Sequence, residues 1–112
     1  MKVRQMRLAD QVRDIIAGCF LGGNMEDPRL SSVTITAVSL TGDLQIAKVY
    51  FRLFDAEPSL IEKAQKGLES ASSYFRRKLS AGLAVRRIPE LRFYYDGTIE
   101  KASRVDELLS EI

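Results

Sequence analysis

Residues 59–87, SLIEKAQKGLESASSYFRRKLSAGLAVRR, decide how the rest of the chain is read. Ile61, Ala64, Leu68, Ala71, Phe75 and Leu79 recur at helical spacing, while Lys66, Arg76, Arg77 and Lys78 fall mostly off that stripe. The spacing predicts a long helical segment, interrupted at Ala71-Ser72-Ser73, with one side in the core and the other available. From residue 63 to residue 87 there are seven Lys or Arg (63, 66, 76, 77, 78, 86 and 87) against Glu69 alone, a net +6. The whole chain carries +2, so everything else sums to −4 and the positive charge is concentrated here. Such a concentration points to an anionic partner, nucleic acid first.

Working outward, 112 residues suit one domain with a single core. With 46% hydrophobic and 29% charged residues, the composition is that of an ordinary folded protein and not of a disordered one. No apolar run is long enough to span a bilayer. MKVRQMRLADQ at the start lacks the apolar segment of a signal peptide, so the expected location is the cytoplasm, with no membrane partner.

The single Cys19 has no disulfide partner and falls in the apolar series Val12, Ile15, Ile16, Cys19, which reads as a buried structural thiol. Histidine is absent, so neither a Cys/His metal site nor a His-containing triad can be built. Carboxylates are scattered over expected helix surfaces and turns. No metal, cofactor, small-molecule substrate or catalytic residue is expected.

Upstream of the central stretch, a first helix is expected over residues 4–20, buried through Leu8, Val12, Ile15, Ile16 and Cys19 and ended by Gly22-Gly23-Asn24. Arg4 and Arg7 on it either touch an anionic partner or remain solvated surface charge. Residues 25–29 form a connector around Pro28. A strand over 33–40 alternates until the pattern shifts by one at Val38, the mark of a bulge or bend.

Thr41-Gly42-Asp43 turns the chain into a long strand over 44–54. One of its faces carries Ala47, Val49, Phe51 and Leu53; the other carries Lys48, Tyr50, Arg52 and Phe54. That second face invites comparison with sheets that stack RNA bases, but packing under a helix or along a sheet suits Tyr50 and Phe54 as well and is the preferred reading. Ser59-Leu60-Ile61-Glu62 is an S-x-x-E capping box that should start the central helix.

Gly82 should stop the central segment, and a short third strand over 91–95 alternates Leu91, Phe93 and Tyr95 with Arg92 and Tyr94. A closing helix over 99–112 is expected on Ala102, Val105, Leu108, Leu109 and Ile112. From residue 88 onward, six acids face three bases, a poor nucleic-acid surface and a better lid or interaction helix.

Helix, two strands, interrupted helix pair, strand and closing helix make an α+β layer with helices over a three-stranded sheet. That order matches the type II KH domain. The chain also resembles the ribosome-binding factor A family along nearly all its length. The resemblance is carried by Asp27-Pro28-Arg29-Leu30, Val33-Thr34-Ile35-Thr36 with Val38, Gly42-Asp43-Leu44 and Ala47-Lys48-Val49-Tyr50. Ala71-Ser72-Ser73-Tyr74-Phe75-Arg76, Pro89-Glu90-Leu91-Arg92-Phe93-Tyr94-Tyr95-Asp96 and Arg104-Val105-Asp106-Glu107-Leu108-Leu109 complete the set.

The resemblance implies a single KH-like ribosome-binding domain over residues 1–112, α-β-β-α-kink-α-β, without a GxxG loop. It implies a non-enzymatic factor that binds the immature small (30S) ribosomal subunit through 16S ribosomal RNA. Such a factor assists late maturation and rRNA processing, especially in the cold. An Ala-x-Gly kink separates the two helices in that family; here Ser73 stands at the glycine position, leaving the sharpness of the kink open.

For contacts with RNA phosphates the candidates are Arg76, Arg77, Arg86 and Arg87, then Lys66 and Lys78, with Arg4 and Arg7 from the first helix. Without the resemblance these charges read as a solvated helix face. Ser70, Ser72 and Ser73 either reach phosphate near the kink or bond locally, and Tyr74 either stacks on a base or flanks the core. A competing reading makes the chain a protein-interaction module docking through the closing helix or a sheet edge. A third, a small hydrolase, rests on fold class alone and lacks a phosphate loop. A monomer is the default.

Overall fold

In the computed structural model, residues 2–21 and 25–97 are described. The first element, α1 (Lys2–Gly18), buries Leu8, Val12 and Ile16 along one stripe. A 3-10 turn, Pro28–Leu30, leads to β1 (Thr34–Leu40) and β2 (Ile46–Arg52). The helix pair α2 (Pro58–Ser70) and α3 (Ser72–Gly82) follows, and β3 (Glu90–Tyr95) ends the described fold. This is the expected type II KH-like order. The anticipated helix stop at residues 22–24 and the closing helix over 99–112 lie outside the described residues.

The sheet runs β1-β2-β3, with β2 antiparallel to β1 and parallel to β3. A parallel neighbour requires a crossover, which the helix pair supplies. The pattern shift read at Val38 is a true register shift, placed between Ile35 and Ala37. Beyond it, Val38 and Leu40 return to the core face opposite Val49 and Ala47.

Along β2, burial alternates without exception: Ala47, Val49 and Phe51 are fully enclosed, while Ile46, Lys48, Tyr50 and Arg52 are partly exposed. The enclosed set joins one core with Leu8, Val12 and Ile16 of α1, Ala64 and Leu68 of α2, and Phe75 and Leu79 of α3. The described helices therefore form a single layer on one face of the sheet.

Asp27-Pro28-Arg29-Leu30 works as a structural knot. Asp27 accepts from the Arg29 backbone N–H at 2.9 Å and from its guanidinium in a fork, Nε at 3.0 Å and Nη2 at 2.6 Å. Those bonds, foremost the side-chain ones, hold the Asp27 carboxyl below the usual carboxylate range. Leu30 is thereby driven into the core against Gly67, where a Cβ would lie 3.0 Å from Leu30 Cδ2.

Two local expectations are corrected. The helix α2 starts one residue before the proposed capping box, because Pro58 with its fixed φ takes the first helical position and Glu57 becomes the N-cap. Glu57 makes no side-chain cap bond, and the Ser59 hydroxyl, already inside the helix, donates back to Glu57 Oε1 at 2.8 Å. The second strand is also shorter than residues 44–54: the turn persists through Gln45, and Phe54, 98% exposed, lies past the end of the ladder.

The interruption of the helix pair is a single residue. Ala71 has φ −88 and ψ 1, its N–H is shared between the carbonyls of Gly67 and Leu68, and its own carbonyl accepts from Phe75 N–H at 3.1 Å. The hydrogen-bond ladder thus continues through the bend. A negative φ is open to any L-residue, so no glycine is needed. Ser72 and Ser73 are the first residues of α3, and their hydroxyls make no hydrogen bond among the described residues. The kink survives Ser73 because Ser73 is not where the chain bends.

Phe75→Ala should lower stability by about 3–5 kcal/mol, measured by urea unfolding, because the ring is wholly enclosed. Ser73→Gly should cost only about 0.5 kcal/mol in the same assay, the difference in helix propensity. A gain in stability would place the bend at Ser73 after all.

Candidate nucleic-acid interface

With Phe75 and Leu79 buried, the intervening residues Arg76, Arg77 and Lys78 sweep the outward arc of α3, each turned about 100° from the last, and all three are exposed. Tyr74, half-buried against the core, sits beneath two of them. Arg77 Cζ lies 5.9 Å and Lys78 Nζ 5.5 Å from its ring centroid. Of its two candidate roles, flanking the core is the one the structure shows.

A second basic group forms where the elements after α3 meet the first helix. Arg86 and Arg87, on the connector that follows Gly82, line an open groove of about 330 Å³ together with Arg4 and Leu8 of α1. The turn Asp43-Leu44-Gln45 closes its other side. The end of α1 is pinned there by Gln5, whose Nε2 donates to the Leu40 carbonyl at 2.6 Å.

The turn itself is tightly bonded. Asp43 Oδ1 accepts from Thr41 Oγ1 at 2.6 Å and from Gln45 N–H at 3.1 Å. Thr41 exchanges backbone bonds with Leu44 and Ile46. These bonds hold Leu44 at φ 62, a left-handed conformation that costs a side-chain-bearing residue roughly 1–2 kcal/mol. The Thr41 hydroxyl first, then the Gln45 N–H, keep the Asp43 carboxyl below the usual range, so it is an anion beside the three arginines.

The remaining candidates stay apart. Arg7 is exposed on α1, three residues from Arg4 and so on the same side of the helix, but outside the groove lining. Lys66 is exposed on α2 and pairs with Glu62 at 3.3 Å, a surface contact worth roughly 0.5 kcal/mol that leaves it free to change partners. Ser70 and Ser73 are exposed, Ser72 partly so. Sequence reasoning named Arg4, Arg86 and Arg87 but not their meeting, and it missed the strained turn at Leu44. The turn chemistry of Thr41-Gly42-Asp43 was the available signal.

Cys19 is buried, its thiol donating to the Ile15 carbonyl at 3.3 Å, and burial pushes its pKa up. A protonated, enclosed thiol is a poor nucleophile, in keeping with the structural reading. No helix among the described residues is long and apolar enough to cross a membrane.

Comparisons with known proteins agree on one family. A family model described as "Ribosome-binding factor A" matches residues 4–109. A protein of that description from Lacticaseibacillus casei is 36% identical over 112 residues, covering all of this chain and 95% of the relative. The crystal structure of ribosome-binding factor A from Thermus thermophilus superposes with a TM-score of 0.71 at 30% identity, over 81% of this chain and 93% of that one. Thermus thermophilus coordinates fitted into a cryo-EM map of a 30S complex superpose at 0.66 with 28% identity, over 82% and 94%.

Asp43 supplies a pH test. Its lowered pKa means its bonds stabilise the fold above the unfolded value of about 3.9 and are lost as pH falls through the lower folded one. The difference in melting temperature between the native chain and Asp43→Asn should therefore be full near pH 6 and shrink below about pH 4.

Proposed function

The chain belongs to the ribosome-binding factor A family, and on that premise we propose that it binds the immature small (30S) ribosomal subunit through 16S ribosomal RNA as a non-enzymatic assembly factor. In this reading it assists late maturation and rRNA processing, including growth in the cold, and acts as a cytoplasmic monomer through one domain over residues 1–112.

The observation that carries this reading is the gathering of Arg4, Arg86 and Arg87, from opposite ends of the described chain, on one groove. Core packing does not by itself call for three arginines to line it. Arg76, Arg77 and Lys78 add a second exposed basic arc on α3. A single residue, Ala71, joins α2 to α3 where KH domains place the GxxG loop that clamps nucleic-acid backbone. RNA affinity must then come from side-chain charge, and phosphate contacts of that kind release counterions and weaken with salt.

The interaction-module alternative places its docking helix outside the described residues, and at the β3 edge the Phe93 carbonyl already accepts from Gln65 Nε2 at 2.9 Å.

The paired reversals Arg76→Glu/Arg77→Glu and Arg86→Glu/Arg87→Glu should each weaken binding to immature small subunits while leaving urea unfolding unchanged. Each lost phosphate contact should reduce the slope of log affinity against log salt by about 0.7–0.9. Unchanged binding across a salt titration would remove these side chains from the interface. Capture of a partner that survives ribonuclease treatment would favour the interaction module.

A further inference from the structure

The sheet face away from the helices carries a second arrangement that the basic helices do not account for. In the parallel register, Tyr50 lies beside Tyr94 and Lys48 beside Arg92; in the antiparallel register, Ala37 and Ser39 are their partners on β1. The face thus has an aromatic row, Ala37-Tyr50-Tyr94, and next to it a basic row, Ser39-Lys48-Arg92. The rows are two residues apart along each strand, about 6.6 Å.

The two rings stand 5.8 Å apart between centroids at 33°, side by side on the sheet. Tyr94 is 40% exposed and Tyr50 is partly exposed. Among the described residues, only the small side chains of Ala37 and Ser39 border them on β1, so none stands above the ring faces from that side. Lys48 has no ion pair among the described residues, and Arg92 pairs with Glu90 at 3.0 Å. With Arg52 counted, the face carries Lys48, Arg52 and Arg92 against Glu90 and Asp96, the latter accepting from Thr36 Oγ1 at 2.8 Å, a net +1.

We propose that this face is a second nucleic-acid surface, which takes single-stranded RNA by stacking bases on Tyr50 and Tyr94 while Lys48 and Arg92 meet the adjoining phosphates. The chemistry needs an accessible π-face for each base and a cation within one nucleotide of it; the partly exposed rings offer the first and the register places the second. The basic row of Lys48 and Arg92 directly beside the rings favours a polyanion over a basic or neutral peptide. Because the helical layer covers the opposite side of the sheet, RNA here and RNA on α3 would not compete for the same side chains. Only the choice of ribosomal RNA as the cellular ligand rests on the proposed function; stacking of an unpaired strand does not.

The test uses the full chain and a short unstructured pyrimidine RNA oligonucleotide, with immature small subunits bound in parallel. Tyr50→Leu and Tyr94→Leu should each weaken oligonucleotide binding roughly 5- to 150-fold, the range expected for one lost base stack. Tyr50→Phe and Tyr94→Phe, which keep the ring and lose only the hydroxyl, should bind as the native chain does. The native chain should also cross-link a 4-thiouridine oligonucleotide at Tyr50 or Tyr94, a readout that does not depend on any variant folding.

Leucine variants that fold and bind the oligonucleotide normally would overturn the proposal. So would cross-links confined to α3 and residues 83–89, or a ribonuclease-resistant protein bound through Tyr94. Loss of subunit binding only in the arginine reversals, with oligonucleotide stacking intact, would separate the two surfaces. Stacking that persists without any subunit binding would instead count against the ribosomal reading alone.

Discussion

Burial of the Phe75 ring ties the helical layer to the sheet. Its centroid lies 5.9 Å from Phe20, just beyond the C-terminal end of α1, and 5.9 Å from Phe93 on β3, so one enclosed side chain fixes helix, helix and strand at a common point. Aromatic pairs at that separation add to the apolar area they remove from water. Because Phe75 sits one turn after the bend at Ala71, its anchoring also sets where α3 points. Arg76, Arg77 and Lys78 are next in the chain, and their outward direction is a consequence of Phe75 pointing inward.

The same logic governs the groove. Arg86 and Arg87 are carried there by a connector bounded by Leu83 and Pro89, both buried, and Arg4 is held by the neighbouring bond from Gln5 to Leu40. The charges themselves make few contacts. They are positioned by apolar residues beside them in sequence, which leaves the guanidinium groups available to an anionic partner. Asp43 tempers the local field without filling the groove, since its carboxylate is committed to Thr41 and Gln45.

Periodicity in the chain was sufficient for much of this architecture. The stripe from Ile61 to Leu79 is the buried stripe of α2 and α3, and the shift at Val38 is a real change of register. Local chemistry was less legible. Ser59 and Glu62 satisfy the pattern of a capping box, yet the ring of Pro58 had already chosen the start of the helix. Ser73 occupies the place of a glycine, yet the bend falls at Ala71, where the shared carbonyls of Gly67 and Leu68 make a negative φ sufficient.

Order of elements, the apolar faces and the concentration of positive charge between residues 63 and 87 were determined by the sequence alone, because each depends on spacing within one element. Family membership followed from ordered motifs of the same kind. Whether Tyr50 lies under a helix or faces solvent, and whether Arg4 meets Arg86, depend on contacts between residues far apart in the chain. Alternation says that a strand has two faces; only the placement of all the described helices on one side of the sheet decides which of them is wet.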